Sequence, residues 1–216
     1  MTRSAAAALL YRAGVMPVVT VRDADSAVRI ARALIEGGLG AIEVTLRSDA
    51  ALDAIAAIRR EVPGMSVGAG TVLDAGQLQA AQDAGAQFVV TPGTPPVLAE
   101  ALMAAAVPVV PGAASVSEIL ALAARGFDAV KLFPAEPLGG AAMVKALRGP
   151  LPAVGLCPTG GIVEAQLPDY LAQPNVLCVG GSWLVRDEWL AAGDFAAVRD
   201  VARRAAEALA AARDGS

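Results

Sequence analysis

The feature that most constrains this chain is a rhythm. Short apolar, β-branched runs begin near Val18, Ile42, Val67, Phe88, Val107, Ala129, Val154 and Val176, with consecutive starts 19 to 25 residues apart. That interval holds one strand, one helix and two short connections, and parallel strands need a crossover of about this length. Between the runs lie alanine- and leucine-rich segments with helical spacing, such as Ser26–Glu36, Ala50–Arg60, Ala75–Ala84 and Ser117–Ala124. Gly37-Gly38, Gly85 and Gly126 follow three of these segments, where a left-handed helix cap is expected. Eight even units predict an α/β fold in which residues 1–216 form one (β/α)8 barrel domain. An extra helix over Ser4–Ala13 precedes the first strand, and an amphipathic helix over Asp194–Arg213 closes the chain. The competing architecture is an open doubly wound sheet, but eight strands would make it long and no GxGxxG follows the first strand.

Composition narrows the chemistry. The 216 residues include no histidine, which excludes a Ser-His-Asp triad, a Cys-His pair and histidine-ligated zinc. A net charge of −4 argues against a nucleic-acid binder. No cluster has metal-ligand spacing, and no cofactor is implied. Cys157 and Cys178 are too few for a disulfide framework and read as small core residues in a reducing compartment. The apolar run Ala5–Leu10 is shorter than a signal-peptide core. The longest uncharged stretch, Ala101–Ser117, is broken by Pro108, Pro111 and Gly112 and does not read as a membrane span. A soluble, cytoplasmic protein is expected.

Barrel strands alternate inward and outward with period two. In the second run Ile42, Val44 and Leu46 are apolar, so Glu43, Thr45 and Arg47 share the inner face. Charges there need partners or a function, and catalytic groups of this fold sit at the C-terminal ends of the strands. Glu43 lies deeper and Arg47 nearer the rim. A satisfied Glu-Arg pair is the alternative. Among 17 basic residues only Lys131 and Lys145 are lysines. Lys145 lies in a helical stretch and reads as a solvated surface residue. Lys131 sits mid-strand between outward-facing Val130 and Leu132, where lysine is unusual. Arginine supplies charge equally well, but not a neutral primary amine. A free amine that attacks a carbonyl is what a Schiff base requires, and an apolar wall and a nearby cation favour it. Phe133 and Arg47 offer the two. A structural lysine paired with Glu43 is the competing account.

Two glycine pairs, Gly160-Gly161 and Gly180-Gly181, follow the seventh and eighth strands, the latter beside Ser182. Glycine lets backbone N–H groups approach an anion, and these two loops often hold a phosphate in barrels. Thr71 and Thr159 end the third and seventh strands. Hydroxyls facing Arg47 suit a carboxylate, whereas a helix N-cap is the ordinary role of a lone threonine.

Five phrases in order complete the pattern: Glu43-Val44-Thr45-Leu46-Arg47, Gly68-Ala69-Gly70-Thr71-Val72-Leu73, Lys131-Leu132-Phe133-Pro134-Ala135-Glu136, Cys157-Pro158-Thr159-Gly160-Gly161-Ile162 and Gly180-Gly181-Ser182-Trp183-Leu184. From about Gly14 to Gly193 the chain resembles the 2-keto-3-deoxy-6-phosphogluconate (KDPG) aldolase family, also described as 4-hydroxy-2-oxoglutarate (KHG) aldolases. The resemblance implies a class I aldolase on a (β/α)8 barrel, a cytoplasmic homotrimer that needs no metal or cofactor. It implies that Lys131 forms the Schiff base with the C2 ketone and that Glu43 is the general acid/base. Arg47, Thr71 and Thr159 would hold the pyruvate carboxylate, Thr159 would also read the C4 configuration, Pro92 and Phe133 would line the pocket, and Gly160, Gly161, Gly181 and Ser182 would cradle the phosphate. The products would be pyruvate and D-glyceraldehyde 3-phosphate, with pyruvate and glyoxylate from the hydroxyoxoglutarate substrate. Pro111-Gly112-Ala113-Ala114-Ser115 is a looser version of the family's fifth-strand phrase. The sister galactonate aldolase, a phosphate-binding isomerase or epimerase using Glu43 as its base, and a non-catalytic sugar-phosphate sensor are the alternatives.

Overall fold

The computed structural model describes residues 4–214. Helix α1 (Ala5–Ala13) starts where the Ser4 hydroxyl accepts the Ala7 N–H at 3.1 Å, and stops at Gly14, whose φ is +62°. Nine strand segments follow: β1 (Val15–Val19), β2 (Ala41–Thr45), β3 (Ser66–Gly70), β4 (Val89–Val90), β5 (Val109–Val110), β6 (Gly112–Ala113), β7 (Ala129–Leu132), β8 (Gly155–Pro158) and β9 (Val179–Gly181). Every ladder is parallel. The orders are β5-β4-β3-β2-β1-β9 and β6-β7-β8. Only Pro111 separates β5 from β6, so the two belong to one interrupted run. Bridges Leu156↔Val176 and Thr159↔Gly180 tie the β8 segment to the β9 segment. The result is an α/β fold with a curled parallel sheet.

Helices α2 (Ala24–Glu36), α3 (Ala51–Glu61), α4 (Ala75–Asp83), α5 (Pro96–Met103), α6 (Val116–Ala123), α7 (Gly140–Leu147) and α8 (Leu167–Leu171) fill the crossovers, with α9 (Asp187–Ala192) and α10 (Phe195–Asp214) at the end. The α2 helix shows why these segments are helical. Asp23 accepts the Ser26 N–H at 2.7 Å, and Ala27, Ile30, Ala31 and Leu34 recur on one buried face. Each large aliphatic side chain buried this way contributes roughly 1.5–3 kcal/mol relative to exposure. No helix among the described residues is long and apolar enough to cross a membrane.

Period-two alternation divides the apolar residues into two cores. The larger lies between sheet and helices and holds outward residues such as Val15, Val19, Ile42, Val44, Val130 and Leu132. The smaller lies inside the curl, with Met16, Ala41, Phe88, Val90, Val110, Ala129, Cys157 and Cys178. Ala7, Leu9 and Leu10 of α1 join the inner core, so α1 seals the N-terminal end of the strands and leaves the C-terminal end open.

Most strand limits shift by a residue or two from the sequence reading, and three shifts bear on the site. The first strand begins at Val15 rather than Val18, because Gly14 turns the chain directly from α1 into the sheet. The last begins at Val179 rather than Val176. Leu177 fills the space above Gly155, and the ladder to β1 starts only at Val15↔Val179. Gly180 and Gly181 therefore lie within the last strand, and Ser182 is the first residue beyond it. The third strand ends on Gly70, so Thr71 stands outside it with φ +59°, a left-handed backbone that β-branched residues rarely adopt.

Candidate active site

The register of β1, β2 and β3 sets the level of each inward side chain. Glu43 lies beside Val18 on one flank and Gly68 on the other, and Thr45 beside Gly70. On the opposite side of the curl, Lys131 lies between Gly112 and Cys157. The two side chains meet inside. Lys131 Nζ donates to Glu43 Oε1 at 3.0 Å and to Oε2 at 3.3 Å, with the residues 5% and 2% exposed. Removing one member of such a buried pair leaves an uncompensated charge. Glycine beside it leaves Glu43 its place: a Cβ on Gly70 would stand 2.1 Å from Glu43 Oε1. Phe133 supplies the expected wall, its ring centre 5.5 Å from Lys131 Nζ. The Pro92 backbone packs against Gly112, the strand neighbour of Lys131. Lys145 is exposed on α7. Both cysteines are free and buried.

Arg47 stands nearer the mouth than Glu43. The chain turns after Thr45, and Arg47 is exposed at the rim, without an ion pair or side-chain hydrogen bond among the described residues. The cation that the sequence suggested beside Lys131 is thus set at the mouth, and the neighbour of Lys131 is Glu43. Arg47 and Ser182 instead line one cavity of about 300 Å³ over the end of β1. Thr20 and Thr45, whose hydroxyls are 2.8 Å apart, share it.

The N-cap account fails for both threonines. Asp74 caps α4, and the short 3-10 turn at Glu164–Gln166 starts from Val163. Thr159 is buried beside Gly180, where a Cβ would stand 2.2 Å from its hydroxyl. Gly160 and Gly161 have φ of +103° and +81°, and the Ala135 and Glu136 N–H groups donate to Thr159 O and Gly160 O at 2.8 and 3.0 Å. Gly181 has a packing reason of its own, since a Cβ there would stand 1.5 Å from an atom of the Trp183 ring.

One group of residues was not singled out from the sequence. The Glu136 carboxylate accepts Gln166 Nε2 at 2.8 Å and the Tyr170 hydroxyl, while Glu136 itself lies against Gly161. Burial first, then the hydrogen bond to Glu136, pushes the Tyr170 phenol above its ordinary value, so it remains a donor. Glu136 stands in the same phrase as Lys131, which was the available clue. Among the described residues no group of three or more His, Cys, Asp or Glu is placed to hold a metal.

Comparison with known proteins gives this geometry a lineage. The KDPG and KHG aldolase family model matches residues 7–201. The 2-dehydro-3-deoxy-phosphogluconate aldolase of Treponema pallidum is 50% identical over 189 residues, 88% of this chain and 90% of the relative. The KHG/KDPG aldolase of Escherichia coli K12 is 44% identical over 205 residues, 95% of this chain and 96% of the relative. A solved KDPG aldolase from Legionella pneumophila, with pyruvate captured at low pH as a covalent carbinolamine intermediate, has a TM-score of 0.89 at 36% identity, covering 93% of this chain and 97% of that one. A match of this extent, end to end and at such identity, means that the chain belongs to the KDPG and KHG aldolase family.

Proposed function

We propose that this protein is a class I aldolase that cleaves 2-dehydro-3-deoxy-6-phospho-D-gluconate to pyruvate and D-glyceraldehyde 3-phosphate, and also 4-hydroxy-2-oxoglutarate to pyruvate and glyoxylate. The observation that carries this reading is the buried Lys131–Glu43 pair at 3.0 Å. Lys131 Nζ attacks the C2 ketone, and loss of water leaves a protonated imine. Glu43, within reach of that nitrogen, shuttles the protons of this step and then takes the C4 hydroxyl proton. The C3–C4 bond breaks, its electron pair enters the iminium, and the aldehyde departs. The enamine is protonated at C3, and water releases pyruvate from Lys131. Arg47, Thr71 and Thr159 hold the carboxylate, Thr159 also reading C4. Pro92 and Phe133 line the pocket. Gly160, Gly161, Gly181 and Ser182 receive the phosphate, and the positive φ of Gly160 and Gly161 supports that role.

The same reading makes residues 1–216 one closed (β/α)8 barrel domain in a cytoplasmic homotrimer. The parallel ladders and the two bridges that join β8 to β9 support closure. The exposure of Leu73, Val97, Val116 and Leu120 near the starts of α4, α5 and α6 supports a subunit interface there.

Incubation with pyruvate and sodium borohydride, followed by peptide mass spectrometry, tests the assignment. A reduced pyruvate adduct on Lys131 is expected. An adduct on Lys145, or none, overturns it, and the absence of any adduct favours an isomerase or a sugar-phosphate sensor.

A further inference from the structure

The proposed phosphate cradle contains no positive charge. Gly160, Gly161, Gly181 and Ser182 offer backbone N–H groups and one hydroxyl, whereas a phosphate is recognised most strongly by a guanidinium that can donate two parallel hydrogen bonds. The cavity that holds Ser182 supplies one. Arg186 lies four residues further along the same loop, and it lines that cavity together with Thr20, Thr45, Arg47 and Asp187. Two guanidiniums against one carboxylate leave the cavity cationic. Arg47, in the same cavity, is assigned to the substrate carboxylate, which leaves Arg186 as the cation available to the phosphate.

The present partners of Arg186 hold it loosely. Its guanidinium is 3.5 Å from Glu188, with both side chains more than half exposed, and such pairs contribute little. Its second contact is the Trp189 ring, whose centre lies 5.0 Å away. Stacking on an aromatic ring leaves the edge of the guanidinium free to donate. Arg186 thus lines the cavity while its guanidinium is held only by two weak contacts outside it.

We infer that Arg186 binds the distal phosphate of the substrate and sets the preference of this protein for phosphorylated over unphosphorylated keto acids. The inference rests on the aldolase reading and adds a residue to it. A substrate with a phosphate gains a charge-assisted pair at the mouth, and 4-hydroxy-2-oxoglutarate, which carries no phosphate, does not.

The test compares Arg186→Gln and Arg186→Lys with the wild type in two arms. In the kinetic arm, Arg186→Gln is expected to raise KM for the phosphogluconate substrate at least ten-fold with little change in kcat, and Arg186→Lys to recover part of the loss. The KM for 4-hydroxy-2-oxoglutarate is expected to move less than two-fold. An unchanged KM for the phosphorylated substrate, or equal losses on both substrates, overturns the inference. In the binding arm, calorimetry with inorganic phosphate is expected to show at least ten-fold weaker binding to Arg186→Gln. Equal binding overturns the inference whatever the turnover. Failure of the aldolase reading is a different result: the wild type would then cleave neither substrate and form no pyruvate adduct.

Discussion

Substituting Gly70 by alanine tests the placement of Glu43 without touching either charged residue. The added Cβ would stand 2.1 Å from Glu43 Oε1, 2.5 Å from Cγ and 2.6 Å from Cδ, whereas real Cβ contacts essentially never fall below 3.0 Å. The carboxylate must therefore move by at least 0.9 Å, the difference between 3.0 and 2.1 Å. A shift of that size away from Lys131 would take the 3.0 Å contact to Oε1 out of hydrogen-bond range. Gly70 has no positive φ, so alanine fits the strand backbone itself. Misplacing a catalytic group by about 1 Å costs on the order of 10²-fold in rate. The expected outcome is a kcat reduced about 10²-fold, read by coupling pyruvate release to lactate dehydrogenase. Borohydride trapping of pyruvate on Lys131 should persist at a slower rate, and circular dichroism should report an unchanged fold. A kcat within two- to three-fold of wild type would refute the reasoning, because a displaced Glu43 could not then be the proton shuttle.

Three further outcomes are expected. Replacing Lys131 alone by methionine should destabilise the protein by roughly 3–5 kcal/mol through the stranded carboxylate, whereas Lys131→Met with Glu43→Leu should be near neutral in chemical denaturation; an equally unstable double variant would make the pair structural. Tyr170→Phe removes the donor to Glu136 and should cost about 1–3 kcal/mol, seen as a lowered urea midpoint with an unchanged slope. Asp23→Ala should cost about 1 kcal/mol at pH 7. The hydrogen bond from the Ser26 N–H holds the Asp23 carboxyl below its ordinary 3.8, so its contribution is present above that value and fades as pH falls through the lower folded one. The wild type and Asp23→Ala should therefore converge in acid, while Asp23→Asn should keep most of the cap and lose the pH dependence.

The fold was legible in the sequence wherever period and spacing act locally. Ser4 to Ala13, the helices α2, α3, α4 and α6 and the inward set Glu43, Lys131 and Phe133 follow from alternation and helix signals. The strand limits were less legible, because they depend on neighbours. Val176 reads as a strand start, yet Leu177 is drawn over Gly155 and the ladder forms three residues later. Arg47 reads as the cation beside Lys131 because the alternation of β2 extends to it, but the turn after Thr45 interrupts the period, and Glu43 is the charged neighbour of Lys131. The Glu136–Gln166–Tyr170 cluster joins residues 30 and 34 positions apart, a distance over which no local pattern operates.

The interior of the curl changes character from bottom to top, and that gradient explains how one chain both folds and reacts. At the closed end Leu9 and Leu10 of α1 meet Met16, Phe88 and Ala129 in a buried apolar plug. One inward step above Met16 and Ala129 lie Val18 and Lys131, and Lys131 meets Glu43 across the curl. One further step brings the hydroxyls of Thr20 and Thr45, then Arg47, Ser182 and Arg186 at the mouth. A charged pair buried in the plug would carry the full desolvation penalty, and a pair at the mouth would be screened by water. At the boundary each charge satisfies the other while the apolar floor keeps the local dielectric low, so their interaction with a reacting carbonyl stays strong. On the proposed aldolase reading, the ion pair is a reactive couple held by the fold rather than a brace that holds it.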